Sequence, residues 1–161
     1  MPTPLAALLA PYPEPTLRAL PDAVKDEAAD VIAKRLRELA EERSLTCPSV
    51  WRSIAETTGC TVYEYESPGS GRGEYAPADI DAGRGVLAVN TAYPPADIVR
   101  VYAHETSHHL LTIWVPPSLP SAQDVFRYEG DADDVRHDIA RRVEALLFES
   151  AAPPPALFEQ E

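Results

Sequence analysis

A chain of 161 residues with 45% hydrophobic content is long enough to fold as one domain, burying about two-thirds of its unfolded surface without covalent staples. A formal net charge of −12 opposes general binding to phosphate backbones, and the densest group of bases, Lys34, Arg35 and Arg37, has acids close by, so no nucleic acid is expected as a direct partner. Cys47 and Cys60 lie outside any C-x-x-C spacing and read as reduced thiols of a cytoplasmic protein, with a single disulfide as the lesser alternative; no apolar run approaches the roughly 18 residues that span a membrane.

Residues 1–21 read as a proline-rich N-terminal arm. Its apolar patch, Leu5 to Ala10, lacks a basic flank and is hemmed in by prolines, unlike a signal peptide. From Asp22 to about Arg43, Val24, Ala28, Val31, Ile32, Leu36 and Leu39 recur at intervals of three and four, which predicts an amphipathic helix. "CPSVWRSIAETTG" predicts a shorter one, with Pro48 in its first turn and Gly59 as its stop. The pattern then changes period. "CTVYEYE" alternates, "SPGSGRG" is a loop, and "GVLAVN" follows a second glycine turn, which together predict two or three strands of a small, mostly antiparallel sheet. After "TAYPP", Ile98, Val101, Tyr102, Leu110 and Ile113 return to helical spacing. Prolines in "VPPSLPS" end that helix, and a last helix runs from near Asp124 or Glu129 to about Phe148, before an acidic, proline-containing tail at 149–161. The fold class expected is α+β, one domain over 22–148.

Three of the four histidines fall within "HETSHH", and His104, Glu105 and His108 spell H-E-x-x-H. Residues four apart on a helix stack one turn above each other, so both imidazoles can face one tetrahedral zinc. Glu105 lies about 100° round from His104, beside the ion but not bound to it, where it can take a proton from an attacking water. His109 is about 100° from His108 and off the ligand face. The competing reading is a polar helix with a solvated face.

A catalytic site needs a third ligand. "RYEGDADDVRHDIARRVEALLF" offers Glu129, Asp131, Asp133, Asp134, His137 and Asp138. Ala132, Val135, Ile139, Val143 and Leu146 mark an apolar face; at about 100° per residue, Glu129 and Asp131 fall roughly 80° from its centre and His137 about 160° away. Glu129 ranks first for its reach and Asp131 second, while His137 is expected to point to solvent.

The segment "GVLAVNTAYPPADIVRVYAHETSHHLL" resembles the core of the ImmA/IrrE family of zinc metallopeptidase-like proteins, where a strand ending in V-N leads through a proline turn into an A-H-E-x-x-H helix. "EGDADDV" is similar to that family's E-x-E-A-[ND]-x-F pattern, whose first glutamate is the third zinc ligand and maps onto Glu129. The chain departs from the family at Thr106 and Ser107, where a large apolar residue and glycine are common, at Val135 in place of an aromatic, and in lacking the L-L-M-P ending. The resemblance implies a zincin-like domain with a gluzincin-like site of His104, His108 and Glu129 around zinc; a His/His/Glu set can also accept manganese. It also implies a cytoplasmic metallopeptidase of narrow specificity whose protein substrate is a helix-turn-helix transcriptional repressor, in stress response or a related regulatory role.

On this reading Glu105 is general base and then proton donor, the strand at 86–90 borders the cleft and takes the substrate by strand addition, and Tyr128, Tyr102 or Arg127 stabilises the oxyanion. The alternative is a non-proteolytic regulatory protein with a structural or vestigial zinc site. A secreted protease of broad specificity is disfavoured by the absence of a signal peptide and of disulfides.

Overall fold

The computed structural model describes residues 7–8, 20–79, 82–114 and 131–148. In chain order its elements are α1 (Asp22–Ala40), α2 (Pro48–Thr57), β1 (Cys60–Tyr65), β2 (Gly73–Asp79), β3 (Arg84–Asn90), α3 (Pro95–Trp114) and α4 (Asp131–Phe148). The fold is α+β, as the change of period along the sequence predicts. Among the described residues no helix is long and apolar enough to cross a membrane.

Helix α1 buries Ala28, Ala29, Ile32, Ala33, Leu36 and Ala40. This stripe is rich in alanine, which allows the close approach of α4. Asp22 in the first turn complements the helix dipole, and the chain leaves the helix at Glu41, whose φ of 59° cannot continue it. The helix therefore ends about one turn before the predicted end near Arg43. Between α1 and α4, Lys25 meets Asp138 at 2.8 Å, and Arg142 reaches Asp22 at 3.1 Å and Asp26 at 2.5 Å. Such pairs contribute about 0–1 kcal/mol each at a surface, whereas burying an Ile or Leu side chain contributes about 1.5–3 kcal/mol. The apolar seam through Ile32, Leu36, Ile139 and Val143 therefore holds the helices together, and the ion pairs set their register.

Helix α2 starts on Pro48 and buries Trp51, Ile54 and Ala55. The Trp51 indole donates to the Leu45 carbonyl at 2.7 Å, which satisfies its one polar atom inside the core. Cys47 and Cys60 are both free thiols. Burial pushes the Cys60 thiol up to about 12, so it packs as an inert apolar group.

The three strands run in the order β1-β3-β2, with β1 parallel and β2 antiparallel to β3. The sheet is thus mixed, which corrects the mostly antiparallel arrangement expected. The most apolar strand takes the centre: Leu87 and Val89 are fully buried, while the alternating strands β1 and β2 lie at the margins. After β1 the loop at 66–72 carries the chain to the far side, and the β2–β3 hairpin then inserts β3 between them. Asn90 fixes that loop: its fully buried amide donates to the carbonyls of Ser67 at 2.8 Å and Gly71 at 3.0 Å and accepts from the Ser67 amide at 3.1 Å. The asparagine of the "VN" dipeptide is therefore the clamp of the crossing loop.

Helix α3 is central, packed on by α2, α4 and the sheet. It is buried on nearly every side, including Thr106, Ser107, His108 and His109. Ser107 Oγ donates back to the Ala103 carbonyl at 2.7 Å and Thr112 Oγ1 to the His108 carbonyl at 2.8 Å, so these hydroxyls enter the core already hydrogen-bonded.

Candidate metal centre

The stripe Arg100, His104, His108 on α3 has the spacing that keeps one face of a helix. On α4 the facing stripe is His137, Ala140 and Glu144, spaced three and four apart and within about 60° of arc. Ala140 is fully buried. Its small side chain brings the two helices together and lets the long side chains on either side meet across the seam.

Three nitrogens converge there. His104 Nε2 lies 3.0 Å from His137 Nδ1 and 3.1 Å from His108 Nε2, and the last two are 3.2 Å apart. The donor atoms of a tetrahedral zinc site with bonds of about 2.0–2.1 Å are roughly 3.3 Å apart, so the observed triangle is close to that of three zinc ligands. A hydrogen bond joins one N–H to one lone pair, and three nitrogens in mutual contact cannot all be paired that way. A shared cation satisfies all three at once. The three histidines could hold a metal ion.

The second ring nitrogen of His104 fixes its tautomer. Nδ1 lies 2.7 Å from Glu144 Oε2, and a carboxylate only accepts, so the proton is on Nδ1 and the Nε2 lone pair faces the other two rings. Arg100 Nε donates to the other carboxylate oxygen at 3.2 Å. The chain Arg100–Glu144–His104 thus orients a ligand from behind. His108 is only 4% exposed, and burial first, then its neighbours His104, Arg136 and His137, push its pKa down to about 2. It therefore stays neutral with a lone pair to offer. We expect Glu144→Ala to weaken metal binding by about 10–100-fold with little change in fold, and Glu144→Gln, which keeps an acceptor, to weaken it less; chelator competition measures both.

Beside His104 opens a cleft of about 280 Å³, walled by Arg72, Arg100, Asp97, Glu105 and Glu144. Glu105 is half-buried and borders it, as its position about 100° from His104 requires. The cleft is also bounded by Gly73, the first residue of β2. A Cβ on Gly73 would come within 2.7 Å of both Val101 Cγ1 and the Ala88 carbonyl, so only glycine lets the strand lie this close to α3.

The residues expected from sequence divide as follows. His104 and His108 are together, with Glu105 on the cleft. Glu129 lies outside the described residues, as do Arg127 and Tyr128. His137, expected to point to solvent, instead faces the other two histidines. The expectation fails because α4 packs on two neighbours: its apolar face is only part of a wider buried arc, one flank of which meets α1 and the other α3. Asp138, on the α1 flank, is taken by Lys25, which holds its carboxyl below the usual carboxylate range. Glu144 was missed altogether. The signal that would have found it is the His-x2-Ala-x3-Glu stripe, two polar ligating types flanking a small residue at helical spacing.

Two further expectations are overturned. Tyr102 is fully buried and donates to Glu64, off the ligand face of α3, so it is no oxyanion donor. The strand at 86–90 cannot add a substrate strand, because β3 is paired on both edges; the strand that reaches the cleft is β2. His109 stands apart as a structural residue. Fully buried, it donates from Nε2 to the Thr58 carbonyl at 2.9 Å and accepts the Tyr75 hydroxyl at Nδ1 at 2.9 Å. Gly85 leaves room for that pair, since a Cβ there would sit 2.8 Å from His109 Nδ1.

No family model, curated protein or solved structure matches this chain.

Proposed function

We propose that the protein is a metal-dependent peptidase in which His104, His108 and His137 hold the ion and Glu105 moves the proton. The observation that carries this reading is the triangle of imidazole nitrogens at 3.0–3.2 Å, with a carboxylate on the adjoining cleft. Three imidazoles favour zinc and disfavour manganese, which prefers oxygen ligands. An ion bound there supplies Lewis acidity toward a substrate carbonyl and a water.

The protein's own groups do the rest. Glu105 accepts the proton of the attacking water and passes it to the leaving amine, one carboxylate serving as base and then as acid. Arg100, on the same cleft, supplies positive charge for the oxygen that becomes negative. Glu144 keeps His104 in the ligating tautomer. Strand β2, at the margin of the sheet and beginning at the cleft, offers its edge to an extended substrate segment. A zincin-like domain that cuts a helix-turn-helix repressor, the narrower reading from the ImmA/IrrE resemblance, is consistent with this arrangement. It differs in the third ligand, His137 here and Glu129 there.

The test is to purify the protein, measure its bound metal, and mix the zinc-loaded form with a helix-turn-helix repressor encoded beside it. Stoichiometric zinc and discrete cleavage, abolished by a chelator and restored by zinc, are expected. Full zinc occupancy with no cleavage of repressor or peptide would leave the non-proteolytic regulator as the better reading.

A further inference from the structure

Among the described residues, the cleft has a cation with unused donors. Arg72 lies with its guanidinium 4.8 Å from the centroid of the Tyr93 ring, and that ring is anchored in turn by its hydroxyl, which donates to the Ser70 carbonyl. Stacking holds a guanidinium by its face and leaves its edge of N–H groups available. Among the described residues that edge makes no hydrogen bond; its one ionic neighbour is Asp97, at 3.8 Å. Both members of that pair are more than a third exposed, at 59% and 39%, so the attraction is screened and easily exchanged.

The other charges bordering the cleft are committed. Glu144 is bound by Arg100 and His104, and Glu105 has the proton to carry. In a chain of net charge −12, a guanidinium pre-oriented by an aromatic ring on the wall of this cleft is poorly explained by solubility. At about 280 Å³ the cleft is just below the usual range of about 300–1,000 Å³ for small-molecule sites, so it accommodates one or two residues of a substrate, with Arg72 within reach of groups next to the reacting bond.

We propose that Arg72 is a specificity residue that binds a carboxylate of the substrate, borne by a residue next to the scissile bond, with Asp97 holding the guanidinium in place until the substrate displaces it. This rests on the peptidase reading. A planar guanidinium edge pairs with a carboxylate through two parallel hydrogen bonds, which an amide of the same shape cannot match. The carboxylate can come from an acidic side chain or from a free chain end, and the two are separable by experiment.

Zinc-loaded protein is offered quenched fluorescent peptides that carry Glu or Gln at successive positions, each as the free acid and as the C-terminal amide. Wild type is expected to cut the carboxylate-bearing member of a pair about tenfold faster. Arg72→Gln should erase that discrimination, and Asp97→Asn, by freeing Arg72, should increase it. A preference for Glu over Gln that survives amidation assigns the carboxylate to a side chain; a preference for free acid over amide that is the same for Glu and Gln assigns it to the chain end. Equal rates on Glu and Gln, free acid and amide, or a preference untouched by Arg72→Gln, would overturn the proposal. Binding of N-acetylglutamate and of N-acetylglutamine amide, which carries no carboxylate, followed by NMR, gives a readout that needs no cleavage. Glutamate binding that is lost in Arg72→Gln, with no peptide cut, would sink the peptidase reading and leave the carboxylate site standing, whereas no difference between the two ligands would sink the site.

Discussion

His137→Ala is expected to strip the metal. Removing one of three imidazoles should lower zinc affinity by more than the roughly 10–100-fold that the loss of an outer-shell partner costs, and peptide cleavage should disappear with it. The fold should survive, because His137 is half-buried and α4 is held by Ile139, Ala140 and Val143, all buried. Circular dichroism and thermal midpoint of the metal-free variant check that point. Glu129→Ala is the companion measurement: it should leave zinc affinity near wild type. The reverse pair of results, with zinc lost in Glu129→Ala and kept in His137→Ala, would restore the His/His/Glu set and remove the reading given to α4. His137→Glu distinguishes the ligand from its position, since a carboxylate there can still bind a divalent ion and should recover part of the affinity that alanine loses.

The part of this site written in the sequence is the part that one helix encodes by itself. His104, Glu105 and His108 are fixed relative to each other by helical geometry, so their spacing alone places two imidazoles on one face and a carboxylate beside it. The third histidine depends on how a second helix is rotated against the first, and that rotation is set by packing. Periodicity locates the most apolar line on α4, through Ile139 and Val143, but a helix wedged between two neighbours buries more than one line. The added lines carry Ala140, which is small, with His137 and Glu144, which are polar and read as surface. The sheet fails for a similar reason. Alternation and glycine turns specify strands well, yet which strand becomes the middle one depends on the loop at 66–72, and the residue that closes this loop, Asn90, is at the end of β3 rather than within the loop. Helices α1 and α2 are legible in the sequence, apart from the last turn of α1, because each has one buried face and one solvated one.

Glu105→Gln separates chemistry from binding. The substitution keeps shape and removes the ability to take a proton, so cleavage by zinc-loaded protein should fall by about 10²–10⁴-fold, the usual contribution of a general acid–base group. Zinc content should be unchanged, because the three nitrogens that face one another come from His104, His108 and His137 and not from Glu105. Thermal stability should also be close to wild type for a half-buried, isosteric change. This combination is what a regulator that acts only by docking would not produce: its partner binding would be indifferent to whether position 105 can move a proton. It also differs from the expected behaviour of Glu144→Ala, where loss of activity should be recovered by raising the zinc concentration, since that residue acts through the metal ligand it orients. Adding zinc should not rescue Glu105→Gln at all. If Glu105→Gln cleaved at the wild-type rate, the carboxylate on the cleft would have no part in the reaction, and the proton would have to be moved by another group on the same wall.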